Sequence, residues 1–131
     1  MKILGIGVDI IKNNRMKISI KKKSFLTRIF GKTEIKNSVN IKNKANYFSK
    51  KFAAKESLVK ALGTGFRNGL NFNDIQIFND NLGKPYFYLN KKLKNIIIKR
   101  FNVKNYNLFL SISDEKDYSV AFTIIQTKNV R

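Results

Sequence analysis

Two short stretches hold residue types that can do chemistry. In GIGVDI an aspartate, Asp9, alternates with Gly5 and Gly7 on one side of a strand-like run. In KFAAKESLVKALGTG a glutamate, Glu56, lies between Lys55 and Lys60, and no other acid occurs between Glu34 and Asp74. A carboxylate can take a proton, hold a hard divalent cation or pair with an ammonium. Spacing alone favours the last for Glu56, because Glu followed by Lys at i+4 is the preferred helical order, worth about 0.3 kcal/mol. A lone Asp at a strand end is more often a cap or turn residue. Each acid therefore has a structural reading and a chemical one.

What the chain lacks narrows the chemistry. It has no cysteine and no histidine, which removes Ser-His and Cys-His nucleophilic mechanisms and the usual zinc sites. No apolar run approaches the 18 residues of a membrane span, and MKILGIGVDI lacks the pattern of a secretory leader, so a cytoplasmic protein is expected, with no membrane partner. A formal net charge of +19 calls for an anionic partner without choosing among nucleic acid, acidic protein and phosphorylated small molecule.

The elements that must position the two acids follow from periodicity. Leu4, Ile6, Val8 and Ile10 alternate with Ile3, Gly5, Gly7 and Asp9, a strand whose glycine face lets another backbone or a ligand approach closely. Phe48, Phe52, Leu58, Val59 and Leu62 give a helix its apolar faces, interrupted by Lys51, Lys55, Glu56 and Lys60 and ended by Gly63 and Gly65. Between these, a helix is expected within Ile11 to Lys23, and a short one from Ser24 as N-cap to Phe30, closed by Gly31. The Lys/Asn-rich stretch 32–46 reads as a loose helix or loop with little claim to the core. Strands at 74–78 and 86–89 flank the turn NDNLGKP, a helix covers 91–101, and a second hairpin joins 108–113 to 118–126. Apolar residues at every position from Val120 to Ile125 except Thr123 suggest a last strand buried on both faces. The order β-α-α-α-β-β-α-β-β indicates one α+β domain over residues 1–131 with a mainly antiparallel sheet.

GIGVDI with Arg15, FAAKESLVKALGTG, NDNLGKP, and LSIS followed by YSVAFTII together resemble the holo-acyl-carrier-protein synthase family of 4′-phosphopantetheinyl transferases, from about Ile3 to Gln126. The resemblance implies transfer of the 4′-phosphopantetheine arm of coenzyme A to a serine of apo-acyl carrier protein. It also implies dependence on Mg²⁺, release of adenosine 3′,5′-bisphosphate, a place in fatty acid biosynthesis, and a homotrimer with active sites at subunit interfaces. The family's metal ligands fall on Asp9 and Glu56, and its phosphate-contacting lysine falls on Lys60. Gly63 and Gly65 would let backbone amides approach coenzyme A, with Lys42 and Lys44 as further phosphate contacts. Arg15, Lys21, Lys22 and Arg28 lie where the family docks the acidic carrier protein. Two carboxylates suit Mg²⁺, which completes its octahedron with water and substrate phosphate. Glu56 would accept the serine proton. The chain departs from the family at Lys12, Lys51 and Asp114, where relatives often carry an acid, an arginine and a histidine.

A rival of another class is a non-catalytic nucleic-acid binder that stacks bases on Tyr86 and Tyr88. Scarce arginine and the absence of a third aromatic on that strand face count against it, and no nucleic-acid partner is expected.

Overall fold

The computed structural model describes residues 1–67 and 69–128. Strand β1 (Ile3–Lys12) runs straight into helix α1 (Asn13–Ser19), followed by α2 (Lys23–Ile29), α3 (Lys32–Asn37) and the 19-residue α4 (Lys44–Leu62). A 3-10 turn (Phe72–Asp74) leads into β2 (Ile75–Asn79), then β3 (Pro85–Leu89), α5 (Lys91–Phe101), β4 (Tyr106–Asp114) and β5 (Tyr118–Thr127). The strands form two antiparallel sheets, β1-β5-β4 and the hairpin β2-β3, so the fold is the expected α+β.

Helix α4 is the centre of the molecule, for reasons visible in its residues. Asn43 caps its start, the side-chain oxygen accepting from the Asn46 amide at 3.0 Å. Gly63 ends it at φ 76, a left-handed conformation that costs glycine nothing. Its inner side is built of small residues, and there β1 presents Gly5 and Gly7. A β-carbon on Gly5 would run into the Ala61 carbonyl, and one on Gly7 into the Ser57 carbonyl. Helix and strand backbones therefore touch directly. Ser57 completes the seam by pairing its hydroxyl with that of Thr123 on β5 at 2.6 Å.

The main core joins Ala53, Leu58 and Leu62 of α4 to Ile75 and Ile77 of β2, Leu93 and Ile97 of α5, and Ala121 and Ile125 of β5. A second cluster, Met16, Ile29, Phe30 and Phe48, welds α1 and α2 to the first half of α4. Burying such side chains contributes about 1.5–3 kcal/mol each before entropy is counted.

Four expectations need correction. Helix α2 starts at Lys23, before Ser24, and no side chain caps it; the Phe25 and Leu26 amides bond the Lys22 carbonyl instead. Gly31 opens α3 where it was expected to close α2, because the Glu34 carboxylate reaches back to its amide at 2.9 Å. The 32–46 stretch belongs to the interior more than its composition suggests, since Glu34 is fully buried. Finally, β5 is covered on one face only. Ala121, Thr123 and Ile125 are buried under α4, whereas Ile6, Val8 and Ile10 of β1, Phe122 of β5 and Phe109 of β4 are 38–61% exposed on the opposite face. That face is apolar and nothing within the described chain packs over it.

Candidate functional site

Asp9 stands two residues beyond Gly7 on the side of β1 that faces α4, and Glu56 immediately precedes Ser57 on the helix. The glycine seam therefore brings the two acids into one recess. It measures about 350 Å³, and its walls include Asp9, Arg15, Ser19, Phe52, Glu56 and Lys60. Phe25 and Met16 add apolar surface. Lys60 donates to Asp9 at 3.0 Å, the two side chains being 53% and 15% exposed. The helical pairing of Lys60 with Glu56 is thus not what forms; the lysine turns to the strand.

Glu56 is half-buried beside a second acid. Burial first, and the Asp9 carboxylate second, push its carboxyl above the usual range, with Lys60 pulling part of the way back. A half-buried carboxylate whose charge is disfavoured by a second acid across a small recess makes a place where a cation is welcome. Among the described residues no cluster of three or more acids exists, so the recess offers two carboxylates and no more. That count suits Mg²⁺, which leaves its other positions to water and phosphate.

The remaining expected residues are spread more widely. Arg15 sits on α1 at the edge of the recess, while Lys21, Lys22 and Arg28 are exposed around the α1–α2 corner. Lys22 and Arg28 flank a shallow depression floored by Phe25 and Ile18. Gly63 and Gly65 follow the end of α4, both at positive φ. Lys42 is exposed, but Lys44 spends its ammonium on the carbonyls of Ser38, Val39 and Ile41 at 2.9–3.2 Å. Tyr86 and Tyr88 share the outer face of the β2-β3 hairpin with Phe78.

Sequence reasoning missed the interior side of α4. Lys51 and Lys55, taken as polar interruptions, are both buried. Lys55 pairs with Glu34 at 2.8 Å and also donates to the Ile75 and Phe72 carbonyls. Burial pushes its ammonium down, and the Glu34 carboxylate, as a charge and as an acceptor, pulls back. Lys51 donates to the Ile77 carbonyl, lies over the Tyr47 ring at 4.8 Å and is pushed down to about 8, chiefly by burial. With Lys50 and Asn46 it lines a separate cleft of about 510 Å³ closed by Pro85 and Asp114. Buried lysines carry no hydrophobic periodicity, so no pattern in the sequence marked them.

Comparison with known proteins bears on this arrangement. Residues 5–123 match the model of the 4′-phosphopantetheinyl transferase superfamily. A holo-[acyl-carrier-protein] synthase of Pelagibacter ubique (strain HTCC1062) is 55% identical over 128 residues, 98% of this chain and 100% of the relative. The crystal structure of the Neisseria meningitidis synthase superposes with a TM-score of 0.84 at 34% identity, over 96% of this chain and 100% of that one. The Bacillus anthracis str. Ames synthase, solved in complex with CoA (3′,5′-ADP), gives 0.80 at 30% identity, covering 96% and 98%. Family match, near-complete coverage and the paired acids agree: the chain belongs to the 4′-phosphopantetheinyl transferase superfamily and, within it, to the holo-acyl-carrier-protein synthases, which are enzymes.

Proposed function

We propose that the recess of Asp9, Glu56 and Lys60 transfers 4′-phosphopantetheine from coenzyme A to a serine of apo-acyl carrier protein, with Mg²⁺, in support of fatty acid biosynthesis in the cytoplasm. The observation that carries this reading is the convergence of two acids from separate elements on one pocket, with a lysine already bonded to one of them. Asp9 and Glu56 would hold the cation. Magnesium, when bound, supplies neutralisation of pyrophosphate charge, the dominant need in phosphoryl transfer.

The chain's own residues account for the rest. Glu56, half-buried at the wall of the recess, accepts the serine proton. The serine oxygen bonds to the phosphorus that bears the pantetheine arm, and the bond from that phosphorus to the bridging oxygen breaks. Adenosine 3′,5′-bisphosphate departs with the bridging oxygen. Lys60, more than half exposed, offsets charge on the phosphates. Gly63, Gly65 and Lys42 remain the further candidates for contact with coenzyme A, and Lys44 ties down the loop that carries Lys42. Arg15, Lys21, Lys22 and Arg28 form the cationic landing for the acidic carrier protein, where charge speeds encounter.

The uncovered apolar face of β1-β5-β4 supports association with further copies of the chain, and the family resemblance makes that assembly a homotrimer. A contiguous apolar patch on a sheet is a cost in water and an interface when a second copy covers it. Light scattering after gel filtration tests this, with a mass of one chain against it. For the reaction, coenzyme A, Mg²⁺ and apo-carrier protein are incubated with the enzyme and the carrier is weighed by mass spectrometry. Gain of one phosphopantetheine, lost on omission of Mg²⁺ and in Asp9→Asn, is the expected result. Full activity of both Asp9→Asn and Glu56→Gln would overturn the assignment.

A further inference from the structure

The corner where β1 becomes α1 is held by a polar clamp that the proposed chemistry does not use. Asn13, the first residue of α1, is 7% exposed and places every polar atom of its side chain. Its amide donates to the Glu115 and Lys116 carbonyls at 3.0 and 3.1 Å, and its oxygen accepts from the fully buried Ser119 hydroxyl at 2.7 Å. Its backbone N–H adds a bond to the Asp117 carbonyl at 2.8 Å, extending the β1-β5 ladder one step past Lys12.

What it grips is the β4-β5 turn, made of Asp114, Glu115, Lys116 and Asp117, all exposed. Such residues bury little apolar surface, so the contacts that hold the turn to α1 are chiefly hydrogen bonds. The turn is in turn tied to the first part of α4 by the Asp114 carboxylate, which accepts from the Asn46 amide at 2.6 Å. Besides packing directly on α4 through Met16 and Phe48, α1 is thus tied to it at this end through an intermediate. A cleft of about 830 Å³ opens between the three parts, walled by Lys12, Arg15, Lys17, Asn43 and Lys116. Arg15 sits on the wall between this cleft and the recess of Asp9 and Glu56.

The geometry points to Asn13 as a positioning residue: by gripping the β4-β5 turn it fixes the start of α1, whose other side is held by Met16, and with it the placing of Arg15 relative to Asp9 and Glu56. This rests on the reading of α1 as the landing for the carrier protein. A clamp of this kind acts on the acceptor and leaves the nucleotide alone, so the two substrates report it differently.

Asn13→Asp keeps shape and the acceptor for Ser119 while turning two donations into repulsions. Ser119→Ala removes only the third bond. Steady-state kinetics with each substrate varied at saturating levels of the other should show KM for apo-carrier protein raised about tenfold in Asn13→Asp and about two- to threefold in Ser119→Ala, with kcat and KM for coenzyme A within about twofold. A folded Asn13→Asp enzyme with unchanged carrier KM overturns the inference, as does an equal loss for both substrates, which is general damage. Should Asn13→Asp fail to fold, Ser119→Ala decides on the same terms. Arg15→Ala separates the two ideas. If it leaves carrier KM unchanged, the landing itself is misassigned and the clamp falls with it; if it raises KM while Asn13→Asp does not, the clamp alone is wrong.

Discussion

Helix α4 carries two lysine–carboxylate pairs five residues apart, and they are opposites. Lys55–Glu34 is entirely enclosed, with both side chains at 0% exposure, and every oxygen of Glu34 is engaged: one with Lys55 and the Gly31 amide, the other with the Ile77 amide. Lys60–Asp9 is open to solvent and rests on a single contact. The first pair ties α3, α4, the 3-10 turn and β2 into one unit; its charges cannot leave without stranding a partner. The second has little to lose by separating. An enclosed pair on the inside and an exposed one at the rim divide the helix into a part that holds and, on the function proposed above, a part that acts.

That division can be broken deliberately. The largest effect is expected on the acting side: Asp9→Asn and Glu56→Gln should each lower transfer by about 10³-fold or more, the scale for removing a group that faces transition-state charge. Circular dichroism should show both folded. Glu34→Ala is the counterpart, with about 3–5 kcal/mol of stability lost in urea melts as Lys55 is left buried and alone. Replacing both members, Glu34→Leu with Lys55→Met, should recover only part of that loss, because the Gly31 and Ile77 amides remain without an acceptor. Lys60→Met should cost about 10- to 100-fold in transfer but under about 1 kcal/mol in stability, the limit for an exposed pair.

The smallest effect sharpens the contrast through pH. Because the folded protein raises the Glu56 carboxyl, its contribution to stability is fully present below the ordinary carboxylate value and is lost as pH rises through the raised one. At neutral pH an ionised Glu56 is therefore a net cost. In the absence of Mg²⁺, Glu56→Gln should melt slightly higher than the parent at pH 7 and no differently in acid. A lower melting temperature for Glu56→Gln at pH 7 would place Glu56 among the holding residues.

The sequence shows the acting part more plainly than the holding part. Asp9 stands in an alternating strand, and Glu56 and Lys60 in a helix whose glycine stop is plain, so their elements could be read directly; that they belong together comes from the family resemblance, and the structure brings all three to one recess. Glu34 could not be read in the same way. It lies in a lysine- and asparagine-rich stretch whose composition suggests solvent, and an enclosed ion pair leaves no hydrophobic signature. Asn13 was equally invisible, its partners being backbone carbonyls more than a hundred positions away. For β5, apolar residues on both faces indicated a doubly covered strand; the pattern records that a face is apolar, not that the same chain covers it.

The contact of Gly5 and Gly7 with α4 has one more consequence. Where helix and strand meet through main-chain atoms, the gap between Asp9 and Glu56 is a dimension of the backbone itself, independent of how neighbouring side chains are sized. The interior can drift through many substitutions while that gap stays constant, provided those two positions never acquire a methyl group. A single alanine at Gly7 would act as a wedge, prying two carboxylates apart without touching either.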